Sequence, residues 1–136
     1  MNIKKLQGYQ VLDSRGRPTV AVTLTLSDGS VHTARVPSGA STGAHEAHEL
    51  RDAGTAKAES YYAGKSVYTA VENINSKIAP KLLGHSLNLA AIDGLLVEVD
   101  PTPGHQVIGA NATLATSLAV AKAAAHASGK SLTRYF

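Results

Sequence analysis

The sequence predicts an α+β fold, a three-stranded antiparallel β-meander followed by a helical subdomain. Two patterns within the 136 residues support this prediction. Over the first third, apolar residues alternate with polar or small ones, as in half-buried strands. After about residue 50 they recur every three or four positions, as on one face of a helix. Strands followed by helices indicate α+β rather than alternating β/α.

The strands are predicted from this alternation and from the turn formers between the alternating runs. Four aliphatic residues stand at every second position: Val20, Val22, Leu24 and Leu26. Asp28-Gly29 then favours a hairpin turn, and the return strand over residues 31–36 ends at Pro37, which has no N–H for the ladder. A further strand over residues 9–12 precedes the turn-rich segment 13–18.

The first two main helices are predicted from apolar stripes. One stripe consists of Val67, Val71, Ile74 and Ile78, with Pro80 near the helix end. The other consists of Ile92, Leu95, Leu96 and Val99, after the N-cap candidate Asn88. Both stripes have the spacing of an amphipathic helix.

A third main helix is predicted over the alanine-rich residues 112–128, ending at Gly129, a natural C-cap. Its narrow apolar face is expected to contain Leu114, Leu118 and Ala121. We also expect a short helix between residues 57 and 63.

Length and composition predict one soluble domain over residues 1–136. The net charge is +3, but the thirteen Lys and Arg residues are scattered, so no clustered basic face points to nucleic acid. The sequence has no cysteine, no signal-peptide pattern and no apolar run long enough to span a membrane. We therefore expect a cytoplasmic protein without nucleic-acid or membrane partners.

The segment 37–46 is rich in glycine and hydroxyl groups. No lysine follows either glycine, so the segment does not favour a nucleotide P-loop. Its hydroxyl and carbonyl oxygens suit a hard cation such as Mg²⁺, although Ser41 alone would bind that ion poorly. The other interpretation is that proline, glycine and serine only turn the chain from sheet to helix. The residue types leave both open.

Histidines give a weaker signal. His45 and His48 are three positions apart, whereas the zincin motif separates its histidines by four, so a solvent-facing helix start is favoured over a zinc site. Four further histidines lack a neighbouring ligand pattern and are predicted at the surface: His32, His85, His105 and His126.

Taken together, several motifs resemble those of the enolase family. They are VLDSRG at 11–16, PTV at 18–20, VPSGASTG at 36–43, HEA at 45–47, ELRD at 49–52, GK at 64–65, AVENIN at 70–75, IAP at 78–80, AID at 91–93, GANA at 109–112 and SLAVAKAAA at 117–125. The resemblance is collinear over nearly the whole chain. It implies the N-terminal domain of an enolase, with a three-stranded meander packed with helices.

The resemblance also implies a reaction. Enolases dehydrate 2-phosphoglycerate to phosphoenolpyruvate in glycolysis, with a lysine that removes the α-proton and two Mg²⁺ ions that stabilise the enediolate. The matching mobile lid would comprise Ser38, Gly39, Ala40, Ser41, Thr42, Gly43 and His45. Ser41 would ligate the second Mg²⁺ through its hydroxyl and carbonyl, and the Ala40 and Ser41 backbone would contact substrate.

The family's catalytic barrel is expected to be absent from residues 1–136. Its lysine base, acid-base glutamates and acidic metal ligands belong to that C-terminal barrel, so we expect no catalytic residue here. The chain alone is then expected to be inactive and to bind Mg²⁺ negligibly, with the barrel as its partner. The alternative is a stand-alone, non-catalytic enolase-like interaction protein, and the reading frame beyond Phe136 distinguishes the two.

Departures from the family pattern concern the lid's flank and the dimer interface. Arg17 stands in place of the usual Asn, and Ala44 and His48 alter the flank. Ala21 replaces the acidic residue of a Thr-Val-Glu-Val strand that helps pair subunits, so we expect a monomer or weak oligomer. The family's Gly-Thr-Pro-Asn-Lys-Ser-Lys segment is changed at Pro101, Gly104, His105, Gln106 and Val107.

Overall fold

A computed structural model describes residues 1–39, 42–56 and 62–136 of the protein. It contains one antiparallel sheet with the strand order β1-β2-β3. The strands are β1 (Ile3–Leu12), β2 (Pro18–Leu26) and β3 (Val31–Arg35). The helices are α1 (Tyr68–Asn73), a π-helical turn (Ile74–Ile78), α2 (Ala79–Leu82), α3 (Leu89–Val99), α4 (Ala110–Ala127) and α5 (Leu132–Tyr135). The predicted meander followed by helices is confirmed.

The core lies between one face of the sheet and the helices. Its centre is the alternating set of β2, in which Val20, Val22, Leu24 and Leu26 are all fully buried. α4 packs across β2 and β3, and α1 and α2 pack against β1. Burial of each such aliphatic side chain stabilises the fold by about 1.5–3 kcal/mol.

β1 is longer than predicted. It begins at Ile3, whereas the alternation indicated a strand over residues 9–12 only. The pairing shifts register between Ile3 and Lys5, where a bulge places the exposed Lys4 and Lys5 side by side in the strand. That bulge interrupts the period of two on which the prediction depended.

The first predicted helix ends at Leu82, two residues after Pro80, so the proline lies near the helix end as predicted. It runs without a break from Tyr68 to Leu82, with Pro80 at the beginning of α2. Proline cannot donate a helical hydrogen bond, and its ring collides with the carbonyl four residues earlier. The wider π-helical turn over residues 74–78 accommodates the proline without ending the helix.

This helix lies unusually close to β1. A Cβ added to Gly8 would lie 2.9 Å from side-chain atoms of Ile74, so glycine is required there. Next to it, Asn75 Oδ1 accepts from the Gly8 N–H at 2.8 Å and Asn75 Nδ2 donates to the Gly8 carbonyl at 3.1 Å. The amide thus pairs with the outer edge of β1, which would otherwise present free backbone groups.

Side chains distant in sequence cap the amino end of α1. Gln10 Oε1 accepts from the Val67 N–H at 2.8 Å. The buried Asp52 accepts from the Tyr68 and Thr69 N–H groups at 3.1 and 2.9 Å. These acceptors satisfy backbone donors that have no partner inside the helix, and they tie the segment around Asp52 to the helical layer.

α4 confirms the predicted helix but corrects its buried face. Leu114 is 45% exposed and Leu118 is only partly buried. The buried surface is formed mainly by small residues: Ala112, Ala115, Ala119, Val120, Ala121, Ala123, Ala124 and Ala125. Because neighbours approach α4 from more than one side, alanines fill positions where a leucine stripe would be expected.

The capping predictions are confirmed. Asn88 Oδ1 accepts from the Ala91 N–H at 3.1 Å at the start of α3. Gly129 follows α4 in a left-handed conformation with φ 64°, and its N–H donates to the His126 carbonyl at 2.9 Å. Both contacts satisfy helix-end backbone groups.

The short helix predicted between residues 57 and 63 lies mostly outside the described residues, since 57–61 are not among them. Tyr62 and Ala63 form a turn with positive φ angles of 72° and 52°, so these two are not helical. Among the described residues, no helix is long and apolar enough to cross a membrane.

Candidate functional site

The glycine- and hydroxyl-rich loop leaves the sheet directly after β3. The Val36 N–H donates to the Val20 carbonyl at 3.0 Å, and the buried Thr19 hydroxyl donates to the Val36 carbonyl at 2.6 Å. These bonds extend the pairing with β2 by one residue. The loop therefore starts from a rigid part of the sheet.

Five of the seven predicted lid residues are described: Ser38, Gly39, Thr42, Gly43 and His45. Ala40 and Ser41, the predicted substrate contact and metal ligand, lie outside the described residues. The structure therefore reports on the two ends of the loop.

Two arginines hold Ser38 at the near end of the loop. Arg15 Nη2 donates to the Ser38 carbonyl at 2.9 Å, and Arg51 Nη2 donates to the Ser38 hydroxyl at 2.9 Å. Bonds from a charged donor are stronger than neutral ones. Ser38 is thus an anchor of the loop, and both its oxygens are already engaged.

Arg51 connects this anchor to three other parts of the chain. Its guanidinium also donates to the carbonyls of Pro18, at 2.9 Å, and Lys65. Glu49 Oε1 accepts from Arg51 Nη2 at 2.8 Å, which completes an ion pair in which both side chains are mostly buried. A planar guanidinium with five donors suits such a junction, whereas lysine has neither the geometry nor the reach in several directions.

Asp13 positions the other arginine. Its Oδ1 accepts from the N–H groups of Arg15 and Arg17 at 2.8 and 2.9 Å. The bond from the Arg17 N–H is the main cause of a lowered pKa at Asp13, with smaller contributions from the Arg15 N–H and from both arginine charges. The carboxylate thereby fixes the turn from which Arg15 reaches Ser38.

The far end of the loop is a turn closed by Glu46. Its Oε2 accepts from the Gly43 N–H at 2.9 Å, and its own N–H donates to the Gly43 carbonyl at 3.3 Å. His45 and His48 are exposed, as predicted, but residues 46–51 are not helical, so the predicted helix start is wrong. The backbone of this segment instead makes hydrogen bonds to the start of α4 and to the loop before it.

Asn111 connects residues 46–51 to the start of α4. Its Oδ1 accepts from the Leu50 N–H at 3.2 Å and its Nδ2 donates to the Leu50 carbonyl at 2.9 Å. The Ala110 N–H also donates to the His48 carbonyl at 2.7 Å. A Cβ on Gly109, whose φ is 96°, would lie 2.6 Å from Asn111 Oδ1 and from Leu50 Cβ, so glycine is needed for this approach.

The remaining histidines only partly match the surface prediction. His85 and His126 are exposed, but His32 and His105 are half-buried. The His32 ring lies 5.0 Å from that of His126, and burial, with a smaller effect of His126, lowers the pKa of His32. The ring contact of His32 joins residues far apart in the sequence, so spacing along the chain does not reveal it.

The donor set of the loop allows a simple test of fit to Mg²⁺. Hydroxyl and carbonyl oxygens are suitable ligands, but those of Ser38 are engaged by arginines. Within residues 1–39, 42–56 and 62–136, no three His, Asp or Glu side chains form a group able to hold a metal ion.

Sequence reasoning gave no role to Arg15, Arg51 or Asp52. All three lie within motifs quoted above, yet their partners are distant in the sequence. Ser38 is 23 residues from Arg15 and 13 from Arg51, and Thr69 is 17 from Asp52. A useful signal was available: charged residues beside a glycine-rich loop, in a chain with few charges, are candidates for holding its backbone.

Comparison with known proteins gives a consistent result. The family model described as Enolase, N-terminal domain matches residues 3–136. The enolase of Mycoplasma pneumoniae is 55% identical over 134 residues, which cover 98% of this chain and 28% of that protein. The enolase of Campylobacter jejuni is 50% identical over 134 residues, which cover 98% of this chain and 31% of that protein. The chain thus spans less than a third of the length of these curated relatives.

Proposed function

Because the chain belongs to the enolase N-terminal domain family, we propose that it is the lid-bearing domain of an enolase. In the complete protein this domain would serve the dehydration of 2-phosphoglycerate to phosphoenolpyruvate in glycolysis. The observation that carries the proposal is the loop: it matches the family lid, and polar contacts hold it at Ser38 and at Gly43.

The two anchors limit how far the part between them can travel. Ser38 and Gly43 are five residues apart, so the intervening chain can extend over at most about 18 Å. Ser41 lies in this span. Gly39 and Gly43 have the backbone freedom to act as hinges. In this proposal the anchors let the loop close over the substrate and keep Ser41 within reach of the second Mg²⁺.

Ser41 is the residue of this chain that we assign to the second Mg²⁺, through its hydroxyl and carbonyl oxygens. When bound, the ion would supply positive charge to stabilise the enediolate. One serine competes poorly with water for a strongly hydrated ion, so the chain alone should bind Mg²⁺ negligibly. The backbone of Ala40 and Ser41 would contact the substrate and help exclude water from it.

The proton-abstracting lysine and the acid-base carboxylates are assigned to the C-terminal barrel of the complete protein. That barrel is the proposed partner of this domain, and the chain alone should show no turnover because no base is positioned at the substrate. We further propose a cytoplasmic location, in keeping with glycolysis and with a sequence that has no cysteine.

A non-catalytic interaction protein is not favoured, because full-length enolases match almost every residue of this chain. The monomer or weak oligomer remains a prediction. Ala21 is fully buried within this chain, so that side chain offers no contact surface of its own. Light scattering at micromolar concentration tests the predicted oligomeric state, and a stable dimer would contradict the prediction.

The decisive experiment joins residues 1–136 to the barrel of a matching relative and measures dehydration of 2-phosphoglycerate. Ser41→Ala should reduce turnover at least tenfold, the size of effect seen when a well-placed electrostatic contact is removed. Ser76→Ala, which changes an exposed helical serine, is the matched control and should leave turnover unchanged. Full activity of the Ser41→Ala chimera would refute the metal-ligand assignment.

A further inference from the structure

A cavity of about 440 Å³ lies between the stem of the loop and helices α3 and α4. Its apolar wall contains Val36, Pro37, Leu96, Val97 and Leu114. This volume is within the range of small-molecule sites, which combine apolar walls with a few polar groups. The polar groups here decide what kind of molecule fits.

Two buried polar atoms at this cavity have no hydrogen-bond partner in the part of the chain that the structure describes. They are Oδ1 of Asp93, on α3, and Nδ1 of His105. A buried acceptor without a donor is costly, and native proteins rarely leave one unsatisfied. A ligand that donates hydrogen bonds would satisfy both atoms, with His105 in the tautomer that carries its proton on Nε2 and accepts at Nδ1.

The loop before α4 fixes the position of His105. The backbone there is left-handed with φ 53°, and the buried Asp100 holds the surrounding turn by accepting from the Val107 and Ile108 N–H groups at 3.0 and 2.7 Å. The His105 carbonyl also accepts from the Gly109 N–H at 3.0 Å. The ring therefore belongs to an ordered turn.

The charged residues that line the cavity favour a positively charged ligand. Besides Asp93, the carboxylates of Glu46 and Glu49 line the cavity, whereas its lining includes neither lysine nor arginine among the described residues. Glu49 is paired with Arg51 and Glu46 with a backbone N–H, whereas Asp93 has a buried carboxylate oxygen with no partner among the described residues. An anion such as a phosphorylated acid would be repelled, which separates this cavity from the proposed substrate site.

We propose that the cavity binds a small organic cation, a primary ammonium group attached to an apolar body. The ammonium donates to Asp93 Oδ1 and to His105 Nδ1, and the apolar body packs against Leu96, Val97 and Leu114. Such a ligand pairs the free acceptors, matches the charge and covers the apolar wall. Bound there, it would lie against the loop stem at Val36 and Pro37.

The test uses the present chain and three probes of nearly the same shape: benzylammonium, benzyl alcohol and benzoate. Each is titrated into ¹⁵N-labelled protein, followed by amide chemical shifts. Benzylammonium should give saturable shifts around Asp93, Val97, His105 and Leu114, with a Kd on the order of 1–10 mM for so small a molecule. Benzyl alcohol should bind at least fivefold more weakly, and benzoate should give no saturable shifts.

Asp93→Asn keeps the shape of the side chain but removes its charge, and it should weaken benzylammonium binding at least fivefold. Glu98→Gln is the matched control, because it removes a carboxylate from the exposed side of the same helix and should change Kd less than twofold. If Asp93→Asn does not fold, the salt dependence of unmodified protein replaces it: raising NaCl should weaken benzylammonium and leave benzyl alcohol unaffected.

Three outcomes would overturn the proposal. They are equal binding of benzyl alcohol and benzylammonium, shifts that map outside the cavity, and no saturable binding, which would indicate that water alone fills the cavity. None of these results bears on dehydration by the complete protein, so failure here is distinct from failure of the proposed function.

Discussion

The sheet with α4 and the segments that surround the loop are stabilised in different ways. The sheet and α4 depend on many buried apolar side chains, such as Val22, Leu24 and Ala119. Among residues 37–39 and 42–56, few apolar groups are buried, and this part of the chain is held chiefly by Arg51, Asp52 and Asn111. One region distributes its stability over many contacts, and the other concentrates it in a few polar side chains.

This difference matters for function. Regions with few buried apolar contacts open locally at less cost than the core does. A loop required to close and reopen is best attached to such a region, since its movement then leaves the apolar body intact. We therefore expect core substitutions to lower global stability and substitutions at the polar junctions to act mostly on the loop.

The largest effect is expected for Ile74→Ala. Ile74 is fully buried against Gly8, so the change leaves a cavity and should lower the free energy of unfolding by about 2–5 kcal/mol. Urea unfolding followed by circular dichroism measures this. The control is Val97→Ala on the exposed side of α3, which should cost below about 1 kcal/mol. Equal shifts in the two variants would contradict the proposed location of the core.

The next largest effect is expected for Asp100→Ala, which should lower the free energy of unfolding by about 2–3 kcal/mol. The buried carboxylate accepts from Ile108, Val107 and Thr102, and truncation leaves those donors unpaired. Asp28→Ala is the control at an exposed acidic position with local hydrogen bonds. If the two variants had equal stability, the polar turn before α4 would contribute no more than a surface turn.

The same residue predicts a pH dependence. Burial raises the pKa of Asp100, but hydrogen bonds from Ile108, Thr102 and Val107 outweigh burial and lower it below the ordinary 3.8. The unfolded chain then takes up this proton at higher pH than the folded chain, so the contribution is complete above the unfolded pKa and is lost as pH falls through the folded one. Asp100→Asn should therefore lose less stability than unmodified protein below about pH 4.

A smaller global effect, but a clear local one, is expected for Arg51→Lys. Lysine keeps the charge but cannot bond Ser38, Pro18, Lys65 and Glu49 together. Global stability should fall by only about 1 kcal/mol, while amide exchange should quicken at residues 38–52. Arg35→Lys on the exposed side of β3 is the control and should change neither. Exchange that quickens equally throughout the molecule would remove the distinction between the two regions.

Sequence predicted the elements whose cause is local. Alternation identified β2, and Asn88 and Gly129 correctly marked helix ends, because those contacts form within a few residues. The π-helical turn, the anchoring of Ser38 and the free oxygen of Asp93 depend on groups far apart in the chain. Spacing along the chain carries no information about such partners, so these polar contacts could not be predicted from the sequence.

The smallest effect is expected where sequence reasoning was wrong about α4. The predicted stripe included Leu114, but this side chain is 45% exposed, and the alanines around it pack in the core instead. Leu114→Ala should therefore cost below about 1 kcal/mol, since little apolar area is lost and alanine favours the helix slightly more. Leu96→Ala, at a 3% exposed position on α3, is the matched comparison and should cost about 2–5 kcal/mol. Urea unfolding of the two variants, measured side by side, compares the two losses of stability. A Leu114→Ala loss as large as that of Leu96→Ala would mean that Leu114 is covered in solution, by a second chain or by a rearranged loop, and the exposed wall of the cavity would then need to be reassigned.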